Sequence, residues 1–536
     1  MQKMHAKFGQ INHSIKSMLE KDLTPRQMAI IMGLIVILLS SLVFLRDIDH
    51  PKQAFWDESY YVTAAERMVR DQHQYASHPP LGFMLMDIGI SVTGSNKNID
   101  TSSLSGVKKL NETHKLPKNY DFLGIRIMAG LFSVLGAYLF FLILNHILNQ
   151  PFEAFLFSLL FIFENAFVVH FRGAHLDPYQ MGFILAALYL FFKGFGAIPK
   201  KPLLHAASLG GLVGLGFMVK TNALLFLALG LIILARRLWD ERTWTGLRHC
   251  LTQGLTILGG FFFVVGLIFT LQGTSNPHPL PIGSEARNSY ERTMGAQTKS
   301  YLDGKTPLSP EVIWDSTKGY IAYMKNDYTG IIAHEANGSE TWRWPFMHRI
   351  INYRWDHDGQ RTAYVQMVGN PINWAIGFIA SLAALVLILW RRLSIVPPLM
   401  TALSRQPILG KWMSYGRSFN VQDMNRLEAV MTMYLIYWGI HIYIGTQRVM
   451  YIYHYFLALI LVFFMSALVF KILFDRFENL KAFRFNTALV MALLIGAGFI
   501  FYSPLTFHKP LTREQCELRN IPFTAVICQP KAKSNH

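Results

Sequence analysis

Charged residues are scarce in this sequence. Asp, Glu, Lys and Arg make up 15% of its 536 residues, where soluble chains carry about a quarter. Cysteine is scarcer still, at three, which excludes a small scaffold built on disulfides. Neither an internal repeat nor a low-complexity block is found, so a solenoid and a disordered chain are excluded as well. Acidic residues are in the minority, 33 against 50 Lys and Arg, which leaves a formal charge of +17. Apolar residues are what the chain has in plenty: 52% of the total, with 40 Phe and 22 Tyr and a mean hydropathy of +0.27. An ordinary soluble enzyme does not have this composition; an all-α polytopic membrane protein does. Nucleic acid is not an expected partner, because the basic residues flank apolar runs instead of interleaving with aromatics on one soluble face.

A helix needs ~20 apolar residues to cross the hydrocarbon core. The first such run is Met28–Leu45, behind a basic stretch (Lys3, Lys7, Lys16, Lys21, Arg26) that has no small-residue cleavage site, as in an uncleaved anchor. Further runs lie near Gly124–Ile147, Phe152–Val169, Pro178–Phe195, Leu203–Val219, Ala223–Ala235, Leu251–Leu271, Ile372–Trp390, Ala429–Gly445, Met450–Phe470 and Thr487–Tyr502. They predict about eleven transmembrane helices. Lys200, Lys201, the Arg236–Arg248 group, Arg391, Arg392, Arg405, Lys411, Arg417, Arg426 and the Lys471–Arg484 group fall on one side, and the positive-inside rule makes that side cytoplasmic. The predicted organisation is a cytoplasmic segment 1–27, a transmembrane catalytic domain 28–502, two long external loops at 47–123 and 272–371, and an external tail 503–536. Cys516 and Cys528 share that tail, where a bridge and two free thiols are both compatible with the spacing.

Residues with chemical potential gather at the external boundary. In the first loop, Asp57 and Glu58 precede an amphipathic stretch; a helix cap and a catalytic acid pair both explain them. His78 is followed by Pro79-Pro80, which fix its backbone and also make an ordinary rigid turn. Glu164 lies inside an apolar run, where an ionised side chain costs ~3 kcal/mol and calls for a partner or a function. Arg172 and Asp177 are close enough in sequence to pair, while Arg126 and Lys220 stand at the ends of their runs. The second loop holds His334-Glu335, which lacks the His four residues on that a zinc protease needs, and then Trp342-Arg343-Trp344-Pro345. Its tryptophans suit membrane anchoring or stacking on a sugar. Arg448 to Tyr455 open the tenth run, with His454 among them. A secondary transporter would hold its ionisable groups near the bilayer midplane, often in two symmetric halves; these do neither.

In order and spacing these motifs resemble the dolichyl-phosphate-mannose protein O-mannosyltransferases and their bacterial polyprenyl-phosphate-mannose counterparts, members of the GT-C class. The resemblance rests on Trp56-Asp57-Glu58, His78 to Gly82, Arg126 to Gly130, Arg172 to Asp177, Lys220, Trp342 to Pro345, Gly369-Asn370-Pro371, Arg448 to Tyr455 and Pro504-Leu505-Thr506. Two departures stand out. Phe83 occupies a position where the family often has Lys, and the loop from Gln272 to Asn370 is too short for the β-trefoil MIR domain of eukaryotic members.

The resemblance implies a GT-C fold and a bacterial inner-membrane enzyme that transfers mannose from a polyprenyl-phosphate donor to Ser or Thr of a translocated polypeptide, with inversion at the anomeric carbon. Asp57, with Glu58 beside it, would be the catalytic acid pair, Asp57 serving as general base. His78, Arg126, Arg172, Asp177, Lys220, His334, Trp342, Trp344, Arg448 and His454 would hold the donor's phosphate or sugar. No metal ligand and no cofactor is expected: Asp47-Ile48-Asp49 resembles a metal-binding string, but carboxylates that merely flank the first span before Pro51 explain it better. Other readings are transfer to lipid A or a polysaccharide, and a non-enzymatic flippase for lipid-linked sugars.

Overall fold

The computed structural model describes residues 23–111, 113–330, 335–395, 414–522, 524 and 526–528. His334, most of the segment 1–27, Arg405 and Lys411 lie outside the described residues.

Every apolar run forms helix. Among the described residues eight helices are long and apolar enough to cross a membrane: Pro25–Phe44, Leu123–Leu148, Thr221–Glu241, Trp244–Ser275, Pro371–Ser394, Val421–Gly445, Ile452–Arg476 and Arg484–Thr506. A ninth is the pair Pro151–Ile162 and Asn165–Phe171, bent by 62°. Asp177–Gly194 and Pro202–Phe217 are helical too but shorter, at 18 and 16 residues. Ile452–Arg476 is enclosed by its neighbours on nearly every side. Small residues set the closest approach between helices: a Cβ on Gly210 would meet the Ile257 carbonyl at 1.9 Å, and one on Gly260 the Ala207 carbonyl at 2.2 Å. Backbones come this near where packing, not water, drives association.

The bend has an identifiable cause. The helix breaks at Phe163–Glu164, and its freed backbone groups need partners away from water. Asn370 and Asn373 donate to the Phe163 carbonyl, while Glu164 accepts from Asn370 N (3.0 Å), Asn373 Nδ2 (3.0 Å), Trp374 Nε1 (3.2 Å) and Ala166 N (3.3 Å). Glu164 thus joins the broken helix to the Gly369-Asn370-Pro371 turn.

The two long loops and the tail gather on one face. The first loop contributes helices Glu58–Val69 and Leu81–Thr93; the second contributes Glu285–Glu291, Ala296–Leu302 and Pro310–Thr329. Tyr75, Tyr290, Tyr320 and Tyr323 weld the loops together, with ring centroids 5.3–6.1 Å apart. The fold is of the expected all-α class, with one small sheet beside the helices. The second loop also forms a hairpin, β1 (Ile351–His357) and β2 (Thr362–Met367), which β3 (Pro510–Leu511) of the tail extends. Asp358 closes its turn by accepting from Gln360 N and Arg361 N, with Gly359 at φ 97. Of the two states left open for the tail cysteines, the structure has the Cys516–Cys528 bridge.

Candidate active site

Asp57 stands at the start of helix Glu58–Val69 on the loop face, and its side chain makes no capping hydrogen bond. The backbone explains why. An N-cap residue usually has an extended conformation, but Asp57 is already helical (φ −71, ψ −10), which turns its carboxylate away from the orphan amides. The chain is redirected one residue earlier, at Trp56, whose φ of 52 is left-handed and costs a bulky residue ~1–2 kcal/mol. Burial pushes the Asp57 carboxyl up to about 7, with Lys220 pulling it down, Asp177 pushing it further up, and Lys109 and Glu335 making smaller contributions. Burial, aided by Lys220, pushes His78 down to about 3, so its imidazole is a neutral hydrogen-bonding group. The Tyr320 hydroxyl fixes its turn by donating to the His78 carbonyl (2.8 Å).

Behind Asp57 runs a chain of buried polar groups. Lys220 Nζ donates to both Asp177 oxygens (2.9 and 3.0 Å) and lies 5.1 Å from the Tyr453 ring. His170 Nε2 donates to Asp177 Oδ2 (2.8 Å), which leaves Nδ1 to accept from the Tyr353 hydroxyl (2.6 Å). Tyr353 is the extra residue of a β-bulge between Asn352 and Arg354. Bulges re-aim side chains, and this one sends Tyr353 inward, where Trp56 stacks on it at 5.2 Å. His175 stacks on His170 at 4.2 Å.

Several residues expected to act in catalysis or at the donor are engaged elsewhere. Glu58 is fully buried and takes a two-pronged pair from Arg126 (Nε–Oε1 2.7 Å, Nη2–Oε2 2.8 Å), plus the amides of Ala174 (2.7 Å) and Phe55 (3.0 Å). Arg126 spends its remaining donors on the carbonyls of Ile48, Pro51 and Gln53. A guanidinium has five N–H bonds, and here none is left for a phosphate. The pair braces the loop, so the acid pair divides into a free Asp57 and a structural Glu58. Arg172 does not pair with Asp177; it donates to the carbonyls of Arg46 and Asp47 and lies 4.8 Å from the Phe507 ring.

Arg448 is the cation that remains available. It lies 4.0 Å from the Tyr328 ring, and among the described residues its terminal nitrogens meet no acceptor. Its charge, like that of Lys220, reaches His78. Tyr451 packs edge-on against Trp56 (5.5 Å) and donates its hydroxyl to Glu335. His454 stacks on Tyr453 at 4.6 Å, and its Nδ1 accepts from the Tyr451 amide. Trp344 is wholly buried, bonded to Ser339 Oγ (3.1 Å), and presents no face to a sugar; Trp342 is exposed. His170 and Tyr353 were not singled out from the sequence. The first sits in an apolar run without a charged neighbour, and the second owes its direction to the bulge. Among the described residues no three His, Cys, Asp or Glu side chains are gathered for a metal ion; Asp47 and Asp49 face Arg46 and Lys52.

Two family models match the chain. One, dolichyl-phosphate-mannose-protein mannosyltransferase, matches residues 34–272; the other, the C-terminal four-transmembrane region of protein O-mannosyltransferase, matches 321–522. The structure is similar to the Saccharomyces cerevisiae protein O-mannosyltransferase Pmt1-Pmt2 complex bound to the sugar donor, with a TM-score of 0.69, 12% identity, and 94% of this chain and 93% of that chain covered. That likeness is one of fold, of the GT-C class. Among curated relatives, S. cerevisiae dolichyl-phosphate-mannose–protein mannosyltransferase 3 is 25% identical over 173 residues, 32% of this chain and 22% of its own length. Pseudomonas fluorescens undecaprenyl phosphate-alpha-4-amino-4-deoxy-L-arabinose arabinosyl transferase 2 is 26% identical over 213 residues, 38% of this chain and 32% of its own. The matched stretches therefore span less than a third of either curated relative.

Proposed function

We propose a reaction for a chain that belongs to the dolichyl-phosphate-mannose-protein mannosyltransferase family: it transfers a mannosyl group from a polyprenyl-phosphate-mannose donor to a Ser or Thr hydroxyl of a polypeptide. The observation that carries the reading is Asp57, a carboxylate without a capping bond whose affinity for a proton is raised to about 7. A base works best when its pKa lies near the working pH. Asp57 takes the hydroxyl proton as the oxygen attacks the anomeric carbon. The bond from that carbon to the phosphate oxygen breaks with its electron pair staying on the phosphate, and the configuration inverts.

The leaving phosphate gains negative charge as the bond lengthens, and positive groups already in position stabilise it without reorganising. This role for Arg448 is supported by its terminal nitrogens, which meet no acceptor among the described residues, and for Lys220 by its charge at Asp57 and His78. Neutral His78 is suited to a sugar hydroxyl. The loop face is external in this reading and the membrane is the bacterial inner membrane; the basic clusters at the opposite helix ends support that orientation.

The test is purified protein in nanodiscs with radiolabelled polyprenyl-phosphate-mannose, offered a Thr-containing peptide or lipid A. Label in the peptide supports the reading; label confined to lipid overturns its acceptor. The lipid acceptor is kept as a second reading because a 213-residue stretch is 26% identical to the arabinosyl transferase.

A further inference from the structure

At the end of helix Glu58–Val69 remote from Asp57, the two long loops line a cavity of about 170 Å³, with His73, Arg287, Tyr290, Glu291, Lys299 and Asp303 over an apolar wall that includes Met294. His73 and Tyr290 are buried, and His73 Nε2 has no hydrogen-bond partner among the described residues. Burial pushes that imidazole down to about 4, so it is neutral. Arg287 holds Glu291 at 2.8 Å and faces Asp303 at 3.9 Å.

Two cations balance two carboxylates in this lining, and Lys305, outside it, pairs with Asp303 at 3.0 Å. A phosphate or a metal ion would be met by an excess of one sign; a neutral ligand is met by balance. Guanidinium and carboxylate supply donors and acceptors for paired hydroxyls, and Met294 with Tyr290 offers an apolar wall for C–H groups. The space is well below the ~300 Å³ at which pockets for larger ligands begin, so it suits one ring.

We propose that this cavity binds a single neutral hexosyl group, and that its ligand is a mannosyl residue already carried by the polypeptide acceptor. The identity of the ligand rests on the reaction proposed above. The 12 residues of helix Glu58–Val69 separate the cavity from Asp57 by ~18 Å, which an extended chain covers in about five or six residues. A sugar already in place would therefore favour transfer to a hydroxyl about that far along the chain.

Binding is read first, as fluorescence anisotropy of a labelled Thr peptide and of its twin bearing one α-mannosyl-Thr, on the full-length protein in detergent. The twin binds about tenfold tighter, the gain from one good set of polar contacts. Methyl α-mannoside cancels the difference, and Asp303→Asn with Glu291→Gln removes it while transfer to the unmodified peptide continues. Equal binding of the twins, or a difference that persists through both treatments, overturns the proposal; the competition arm needs no variant. Transfer to peptides whose mannosyl-Thr lies two to ten residues from a free Thr peaks at about five or six. A flat profile with normal transfer overturns this site alone. Absence of transfer to every peptide instead overturns the acceptor reading, and the anisotropy result still decides whether the cavity holds a hexose.

Discussion

At the scale of the residue, Asp57 and Glu58 show how adjacent carboxylates acquire opposite roles. Glu58 meets four donors, two of them from a permanent cation; among the described residues the Asp57 carboxylate meets none, and burial makes its ionisation costly. Two consequences follow for pH. Because the base must be unprotonated, kcat/KM falls about tenfold per pH unit below about 7 and levels off above it; a rate flat from pH 5.5 to 8 would contradict the assignment. Stability moves the other way. The folded-state pKa lies above the unfolded one, so the unfolded chain loses this proton first. The stabilisation of the neutral form is then present at low pH and lost as pH rises toward 7. Asp57→Asn, which never ionises, is accordingly more stable than the parent at pH 8, by at most ~4 kcal/mol, with a higher Tm, and is no more stable at the lowest pH the protein withstands. Matched thermal melts at the two pH values check it. The acid pair was legible in the sequence, but the division of labour was not, because Arg126 lies 68 residues from Glu58. Separation in sequence likewise hid that Arg126 is spent while Arg448, among the described residues, keeps its terminal nitrogens without an acceptor.

At the scale of the element, the informative features are a break, a turn and a bulge. Apolar length located the helices, and an ionisable residue within one marked Glu164 as a group needing partners. That the partners are a turn some 200 residues on was beyond any local pattern. Glu164→Ala leaves four donors short of their acceptor and lowers stability by ~3 kcal/mol. Asp57 keeps its surroundings in that variant, so the drop in Tm is accompanied by near-normal turnover of the molecules that stay folded. The hairpin escaped notice because its strands are short and the second, Thr362–Met367, does not alternate; the first does alternate from Ile351 to Asp356, a strand signal the sequence carried. With it went Tyr353, whose side chain no reading of periodicity would have aimed at His170.

At the scale of the whole molecule, the chain gathers two loops and a tail onto one face and leaves most of its basic clusters at the far helix ends. Hydropathy and the distribution of Lys and Arg made this arrangement legible, since both act through the bilayer and not through specific contacts. Trp355, half-exposed on the hairpin, reports the orientation. A Trp355→Cys variant should react with a membrane-impermeant maleimide in intact spheroplasts, whereas labelling only after lysis would put the loop face in the cytosol.

The central claim is that the Asp57 carboxylate removes the acceptor proton. Single-turnover transfer from bound polyprenyl-phosphate-mannose to a Thr peptide, compared between the parent and Asp57→Asn, addresses it without interference from product release. The account predicts a loss of about 10³-fold in the chemical step, with donor affinity retained. Transfer by Asp57→Asn within a few-fold of the parent rate would contradict it.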